Sequence, residues 1–303
     1  MQILSPTNWK EYELIDTGGC EKLERFGKYI LARPEPQAVW QKSLPEKEWE
    51  QISHAWYRRT RGIDPSKSDL TEKGEWKRKP AMPDQWMISY SYKEMHLKFR
   101  LGLTSFGHIG VFPEQAVNWD NIYDILIASR VTRHTSRVLN LFAYTGGSSL
   151  AARAAGMDVV HVDSVKPVVN WAREDMELSG LEGIHWVVED ALKFVKREVK
   201  RGHRYNGIIL DPPAYGRGPE GEKWILQDSI DEMMGLCSRL LEPGKGFVIF
   251  SLYSMGFSAL IAENLVRNHF GEKGEIASGE MYLPDRAGRK LPLGTFLKLT
   301  REG

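Results

Sequence analysis

The sequence predicts an α/β fold in which a mostly parallel, seven-stranded sheet carries helices on both faces, behind a small β-rich N-terminal domain. From residue 106 to residue 303, short apolar runs alternate with amphipathic segments, which is typical of a parallel sheet wrapped by helices. A glycine turn joins the first core run to a helix, and carboxylates follow several later runs. Residues 1–105 differ, because glycine and proline separate short strand-like pieces there.

The N-terminal domain, residues 1–105, is expected to be built from short strands and to take part in substrate recognition. Alternating apolar and polar residues predict a hairpin with a turn near Lys93 as its last two strands. The expected strands are residues 11–16, 28–33, 38–41, 86–92 and 96–103.

A basic and aromatic segment interrupts this domain. Residues 55–80 carry eight basic and four acidic residues, with tryptophan and tyrosine interleaved. Aromatic rings beside arginine and lysine can stack bases and hold phosphates, so Arg58 and Arg59 are candidate substrate contacts. The same composition is also typical of a solvated loop that its tryptophans anchor to the domain. Both interpretations stay open.

The second domain, residues 106–303, is expected to alternate strands with helices. The predicted strands are residues 138–142, 159–163, 184–188, 207–210 and 246–251, with Tyr282 and residues 295–300 closing the sheet as an antiparallel edge pair. The predicted helices are residues 115–129, 148–155, 166–179, 191–201, 225–241 and 258–268.

The first core strand ends in a tight turn, Ala143-Tyr144-Thr145-Gly146-Gly147, and a helix follows. This order places backbone N–H groups and a helix N-terminus beside any ligand at the carboxyl end of the strand. The glycine pair alone is weak support, since tight turns use glycine for steric reasons.

Two carboxylates follow the next two predicted strands. Asp163 stands where a doubly wound sheet reaches a ribose diol, because a carboxylate accepts both hydroxyl protons. Asp190 can accept a hydrogen bond from an adenine amino group. Because Asp190 also precedes a helix, a simple N-cap role competes with this interpretation.

A third carboxylate, Asp211, is followed by Pro212 and Pro213 after the fourth predicted strand. Two prolines hold the chain extended, so the carboxylate faces the open end of the sheet, where it can orient a nucleophile. Tyr215 can stack on a flat substrate. A nicotinamide-binding fold fits poorly, because the turn after the first core strand does not read Gly-x-Gly-x-x-Gly.

In this order and spacing, these segments resemble class I S-adenosylmethionine-dependent methyltransferases. The resemblance is to the bacterial branch that includes the large-subunit ribosomal RNA cytosine-C5 methyltransferases, and it implies a Rossmann-like methyltransferase fold. The segments that carry it are residues 110–115, 138–147, 161–163, 189–191 and 211–215.

The resemblance implies roles for individual residues. Residues 142–146 surround the methionine moiety of the cofactor, Asp163 binds its ribose and Asp190 its adenine. Residues 106–115 either cover the cofactor or form an ordinary interdomain link. The candidate cofactor contacts are Phe112, Gln115, Asn140, Phe142, Ala143, Tyr144, Thr145, Gly146, Asp163, Ser164, Asp190, Ala191 and Asp211.

The resemblance also implies that residues 211–215 line the methyl-transfer site, where Asp211, Pro212 and Tyr215 are the catalytic candidates. Residues 216–221 resemble a mobile flap over the substrate. The candidate substrate contacts are Pro213, Arg217, Arg58 and Arg59.

The sequence differs from the C5 enzymes at the position of their nucleophilic cysteine. Those enzymes carry a cysteine after the fifth strand, which adds covalently to the pyrimidine. Here the corresponding residues 250–254 read Phe-Ser-Leu-Tyr-Ser, and Cys237 falls inside a predicted helix, where a core role is expected. Direct in-line transfer to a nitrogen or oxygen nucleophile is therefore expected instead.

The predicted function is a methyltransferase that acts on RNA, in particular ribosomal RNA, at a base nitrogen or carbon. The alternatives are methylation of a small molecule or a protein, or a non-catalytic module that binds S-adenosylmethionine or RNA. Composition adds little, since the formal net charge of +1 gives no global attraction to nucleic acid or membrane. Two distant cysteines and no apolar run of membrane-span length predict a cytoplasmic protein without metal or membrane.

Overall fold

The structure, a computed structural model, describes residues 1–59, 74–128, 136–253 and 256–301, without the side chain of Arg59. The strands of the described residues are β1 (Gln2–Leu4), β2 (Tyr12–Gly18), β3 (Glu21–Phe26), β4 (Tyr29–Pro34), β5 (Ala55–Arg59), β6 (Gly74–Arg78), β7 (Gln85–Tyr92), β8 (Met95–Gly102), β9 (Arg137–Leu141), β10 (Asp158–Asp163), β11 (Ile184–Val188), β12 (Gly207–Leu210), β13 (Tyr215–Arg217), β14 (Lys223–Ile225), β15 (Gly246–Leu252), β16 (Glu275–Pro284) and β17 (Lys290–Arg301). The helices are α1 (Glu46–Ile52), α2 (Ala116–Ala128), α3 (Gly147–Ala154), α4 (Lys166–Leu178), α5 (Ala191–Arg201), α6 (Leu226–Leu240) and α7 (Ala259–Phe270), with a 3-10 turn at Pro113–Gln115.

The large sheet is mostly parallel, as predicted, and runs in the order β1-β16-β17-β15-β12-β9-β10-β11. β17 lies antiparallel to both β15 and β16, which confirms the predicted antiparallel pair. That pair is not the edge of the sheet, because β1 pairs parallel with β16 and adds an eighth strand. A strand of three residues at the N-terminus carries too little pattern to be predicted.

The predicted strands and helices of the second half are confirmed, and most of their ends are shifted by no more than two residues. The two last strands are longer than predicted, since β16 extends on both sides of Tyr282 and β17 begins five residues before residue 295. The central strands are buried on both faces, as β12 shows along its whole length, because helices cover each side of a parallel sheet. The strand order reverses between β9 and β12, which are parallel neighbours. In such sheets ligands bind outside the carboxyl ends of the strands at the reversal point.

The N-terminal half contains a five-stranded sheet in the order β2-β3-β4-β5-β6. The predicted strands near residues 11–16 and 28–33 are confirmed as β2 and β4. The strand predicted at residues 38–41 is wrong, since those residues form no strand. β3 was missed because its sequence, Glu-Lys-Leu-Glu-Arg-Phe, looks like an exposed segment although Lys22 and Glu24 are buried.

The predicted hairpin is confirmed as β7 and β8, which pair antiparallel over their full length. β8 is joined to the second half of the chain, because the backbone N–H of Arg100 donates to Asp175 Oδ1 in α4 at 2.8 Å. The backbone N–H of Lys98 donates to the Ser179 hydroxyl at 2.9 Å. The division of the chain near residue 105 stays a prediction.

The basic and aromatic segment is described only at its two ends. β5 and β6 pair antiparallel as the last strands of the five-stranded sheet. Arg61 and the rest of residues 60–73, on which part of the predicted RNA-binding segment falls, lie outside the described residues.

Candidate active site

A cavity of about 850 Å³ lies where the strand order of the large sheet reverses. Its floor is formed by residues that follow β9, β10, β11 and β12, and its opposite wall by β3 and β4 of the five-stranded sheet. The volume lies within the range of small-molecule sites. Both halves of the chain therefore build one site.

The turn after β9 has an unusual backbone. Phe142 and Tyr144 adopt left-handed φ angles of 55° and 50°, a conformation that costs free energy for residues other than glycine. This geometry ends the strand at Leu141, one residue before the predicted end. Gly146, with φ 85°, completes the turn and precedes α3.

Asp163 holds this turn in place. Its Oδ2 accepts a hydrogen bond from the backbone N–H of Tyr144 at 2.9 Å, and its Oδ1 accepts one from Val165 at 2.9 Å. Burial raises the pKa of Asp163, against the effect of these N–H donors. Each carboxylate oxygen keeps a second lone pair, so Asp163 can still accept hydrogen bonds from a diol in the cavity.

Asp190 is the N-cap of α5, and its Oδ1 accepts from the backbone N–H of Lys193 at 2.8 Å. The N-cap interpretation is confirmed, and the adenine role stays a prediction. The carboxylate also lines the cavity, together with the apolar side chains of Val165, Val168 and Trp171. This part of the cavity combines an acceptor with apolar walls, as a flat amino-bearing ring requires.

Asp211 lies at the end of β12 and is held by Gln115, whose Nε2 donates to Oδ2 at 3.1 Å. The Asn118 amide donates to Gln115 Oε1 and to the Ser251 hydroxyl, both at 2.8 Å. Burial raises the pKa of Asp211 to about 7. Near neutral pH this carboxyl can therefore hold or release a proton, as a general base does.

The residues after Asp211 form a β-hairpin at the cavity. β13 and β14 pair antiparallel, and Trp224 fixes the hairpin by donating from Nε1 to the Pro213 carbonyl at 2.7 Å. The Trp224 ring also packs on Phe142, with 4.7 Å between the ring centroids. Arg217 lies 6.0 Å from the centroid of the Tyr215 ring.

The predicted site residues fall into three groups. Those that line the large cavity are Phe112, Gln115, Phe142, Tyr144, Asp163, Ser164, Asp190, Ala191, Asp211, Pro212, Pro213, Tyr215 and Arg217. Those that line only a smaller space beside it are Asn140, Ala143, Thr145 and Gly146. Arg58 is exposed on β5 and is not among the residues that line either space, and the side chain of Arg59 lies outside the described residues.

The cavity also has lining residues that sequence reasoning missed. Lys22 lies in β3, Glu35 directly follows β4, Glu114 lies in the 3-10 turn and Tyr253 directly follows β15. The Tyr253 hydroxyl donates to Glu35 Oε1 at 2.9 Å, which joins the two halves at the cavity. Local sequence gives no signal for these contacts, because they depend on how one sheet packs against the other.

Neither of the two cysteines is among the residues that line the cavity or the smaller space beside it. Cys237 is buried in α6, as predicted, and burial raises the pKa of its thiol to about 12. Cys20 is exposed in the turn between β2 and β3. The described residues contain no group of three or more metal-ligating side chains and no helix long and apolar enough to cross a bilayer.

Comparison with known proteins gives relatives for both halves of the chain. The solved structure of a SAM-dependent methyltransferase from Agrobacterium tumefaciens is 35% identical, with a TM-score of 0.87 over 100% of this chain and 94% of that one. The ribosomal RNA large subunit methyltransferase K/L of Shewanella frigidimarina is 31% identical over 55% of this chain and 23% of its own length. The ribosomal RNA large subunit methyltransferase I of Aeromonas salmonicida is 32% identical over 40% of this chain and 32% of its own length.

The chain thus spans about a quarter to a third of the length of these curated relatives. A family described as S-adenosylmethionine-dependent methyltransferase matches residues 79–268. This range covers more than half of the chain and includes the turn after β9 and the acidic residues at the carboxyl ends of β10, β11 and β12. The cavity and its carboxylates are accordingly those of a member of the S-adenosylmethionine-dependent methyltransferases, the family to which this chain belongs.

Proposed function

We propose that the chain transfers a methyl group from S-adenosylmethionine to a base nitrogen of ribosomal RNA. The observation that carries this proposal is the cavity of about 850 Å³, whose lining includes Asp163, Asp211 and residues of the five-stranded sheet. It has room for a nucleoside cofactor and a flat acceptor. The names of both curated relatives supply the ribosomal RNA part of the proposal.

The residues of the cavity fit this cofactor. The carboxylates of Asp163 and Asp190 keep lone pairs for hydroxyl and amino donors. Trp171 and Val168 also line the cavity, and their apolar side chains can contact the adenine ring of the cofactor. When bound, S-adenosylmethionine supplies a methyl group that its sulfonium already activates.

The chain itself then chiefly aligns the acceptor and excludes water. In the proposed mechanism, Asp211 orients the acceptor nitrogen and takes up the proton that this nitrogen loses. Pro212 and Pro213 line the path beside Asp211, and Tyr215 stacks on the base. The hairpin of β13 and β14 covers this end of the cavity, where Arg217 is a phosphate contact.

Nitrogen is favoured over carbon as the methyl acceptor, because covalent C5 chemistry needs a thiolate at the site. The thiol of Cys237 is protonated at neutral pH, since burial raises its pKa to about 12. Cys20 is not among the residues that line the cavity. Arg58, exposed on β5, stays a proposed contact with RNA outside the cavity.

Transfer of a radiolabelled methyl group to fractionated cell extracts tests the proposal. The extract should come from cells that lack this gene, so that the target is unmodified. We expect label in large-subunit ribosomal RNA and, after digestion, in a nucleoside methylated on a base nitrogen. Label in 5-methylcytosine would contradict the nitrogen assignment, and label in protein or small molecules would contradict the RNA assignment.

A further inference from the structure

One buried carboxyl in the cavity has no role in the mechanism described above. Glu114 follows Pro113 in the 3-10 turn, lines the cavity and is only 6% exposed. Apart from its own backbone N–H, no group of the described residues donates a hydrogen bond to its side chain. An unpartnered carboxyl in such a position is costly, so a group that donates to it from the cavity would be bound favourably.

The other charged groups on this wall already have partners. Glu24 accepts hydrogen bonds from Arg33 Nε at 2.9 Å and from the Tyr12 hydroxyl at 3.0 Å. Arg33 also donates to the Gly107 carbonyl at 3.2 Å. Glu35 accepts from the Tyr253 hydroxyl. Glu114 differs from these groups, because no other residue in the described part of the chain donates a hydrogen bond to its carboxyl.

Glu114 lies within electrostatic range of Asp211 and of charged side chains of the five-stranded sheet. The next residue, Gln115, donates to Asp211 at 3.1 Å. Burial, together with the nearby charges of Glu24 and Asp211, raises the pKa of Glu114, against the effect of Lys22. Glu114 therefore lines the cavity within electrostatic range of Asp211, the proposed proton acceptor.

Lys22 supplies a donor to the same half of the cavity. Its Nζ lies 3.3 Å from Glu35 and 3.8 Å from Glu24, and its side chain lines the cavity. An ammonium group has three N–H donors, so Lys22 can donate to a ligand while it stays beside Glu35. The cavity therefore presents one carboxyl acceptor, from Glu114, and one ammonium donor, from Lys22.

We propose that Glu114 is a specificity-determining residue that accepts a hydrogen bond from an N–H group of the acceptor base, while Lys22 donates to a neighbouring carbonyl oxygen. This inference rests on the proposed function, since it takes the acceptor to be a base. The ligand class is a heteroaromatic ring that carries an N–H donor beside a carbonyl. The ring of Phe112, 5.2 Å from that of Tyr144 in the same cavity, provides an aromatic surface for such a ring.

The Glu114→Gln variant tests this role, because it keeps the shape of the side chain and replaces one acceptor by a donor. With unmodified large-subunit ribosomal RNA transcript as acceptor, we expect kcat/KM to fall roughly 10- to 100-fold, mainly through a higher KM for RNA. The affinity for S-adenosylhomocysteine should not change, since the proposed role of Glu114 concerns the acceptor base and not the cofactor. The control is Glu94→Gln, which alters an exposed glutamate in the turn of β7 and β8.

Thermal unfolding separates a binding role from a structural one. Because no other residue in the described part of the chain donates a hydrogen bond to the Glu114 carboxyl, the variant should unfold at the same temperature as the wild type, or higher. An unchanged kcat/KM in the variant would overturn the proposal for Glu114, and so would a loss of activity that accompanies a lower unfolding temperature. A wild type that methylates no RNA would instead overturn the proposed function on which this inference rests.

Discussion

Asp211 combines burial with a hydrogen bond from Gln115, and this combination sets its chemistry. Burial raises its pKa to about 7, so the carboxylate form increases as the pH rises through neutrality. If Asp211 accepts the proton of the nucleophile, kcat should rise about tenfold per pH unit below pH 7 and level off above it. Single-turnover rates measured between pH 5.5 and pH 9, at roughly half-unit steps, check this expectation.

The same profile in two variants identifies the titrating group. Asp211→Asn should lower the rate and remove the rise with pH. Glu114→Gln should keep the rise, although Glu114 also has a pKa raised by burial to about 7. A rise that persists in Asp211→Asn would contradict the assignment of Asp211 as the proton acceptor.

A separate prediction for Asp163 concerns the binding of the cofactor alone. Asp163→Ala removes the acceptor for the Tyr144 and Val165 N–H groups and for the proposed diol. We expect the affinity for S-adenosylhomocysteine, measured by calorimetry, to fall roughly 5- to 150-fold, which corresponds to about 1–3 kcal/mol.

The control for Asp163 lies on the same strand. Asp158 begins β10 at its other end, where it pairs with His185 at 2.9 Å. Asp158→Asn should leave the cofactor affinity unchanged. Equal losses in the two variants would show that Asp163 acts through the stability of β10 and not through the ligand.

The position of a residue within the fold decided whether the sequence could predict it. Asp163 and Asp211 both line the cavity, where the sequence predicted a site, because Asp163 ends β10, Asp211 directly follows β12 and the carboxyl ends of parallel strands meet at one edge. Lys22 and Glu35 could not be predicted, because they reach the cavity from another sheet. The local sequence around each of them contains no pattern that indicates this packing.

At the scale of the element, the hairpin of β13 and β14 depends on one side chain. Trp224 is 2% exposed, packs on Phe142 and donates to the Pro213 carbonyl. Trp224→Ala should destabilise the hairpin by about 3–5 kcal/mol, as for other large aromatic truncations. Trypsin should then cleave after Arg217 or Lys223 faster than in the wild type.

Trp224→Phe separates packing from hydrogen bonding in this hairpin. It keeps an aromatic ring near Phe142 but leaves the Pro213 carbonyl without its indole donor. We expect an intermediate cleavage rate, since one hydrogen bond contributes about 1 kcal/mol. Cleavage of Trp224→Ala at the wild-type rate would mean that the hairpin does not depend on Trp224.

Element prediction was most successful where burial and chain geometry agree. β11, β12 and α5 have the predicted bounds, because glycine ends α5 and apolar residues fill the two strands. Prediction failed for β3, whose buried charges satisfy one another instead of facing water. A pattern of hydrophobicity cannot reveal a strand whose inward side chains form ion pairs.

At the scale of the whole molecule, the cavity requires that the five-stranded sheet keep its position against the large sheet. Buried carboxylates join the two at the tip of the hairpin formed by β16 and β17. Arg289 pairs with Asp16 of β2 and, at 2.8 Å, with Asp285. The Thr17 hydroxyl donates to Asp285 Oδ2 at 2.7 Å. This ionic contact fixes the wall that carries Lys22 and Glu35.

Asp16 makes this contact sensitive to acid. Burial opposes its ionisation, but donors that include the Leu44 N–H and the Trp49 indole outweigh burial and hold the pKa of Asp16 below its ordinary value. A lowered carboxyl pKa stabilises the folded state above the unfolded pKa, and this contribution is lost as the pH falls through the folded value. The contact should therefore be complete at neutral pH and weaken only in strong acid.

Arg289→Ala tests the contact at neutral pH, because it leaves Asp16 and Asp285 buried without their cation. We expect the free energy of unfolding in urea to fall by about 2–3 kcal/mol. Arg286 is the matched control, since it joins the same hairpin to Glu13 with a side chain that is 58% exposed. Arg286→Ala should cost less than about 1 kcal/mol, as exposed ion pairs do.

The consequence for function follows from the place of the contact. Arg289 lines no part of the cavity, yet its loss frees the sheet that carries Lys22 and Glu35. Arg289→Ala should therefore raise the KM for RNA while the affinity for S-adenosylhomocysteine, which depends on the large sheet, stays unchanged. Equal effects of Arg289→Ala and Arg286→Ala on unfolding and on KM would contradict the view that burial of this ion pair holds the two sheets together.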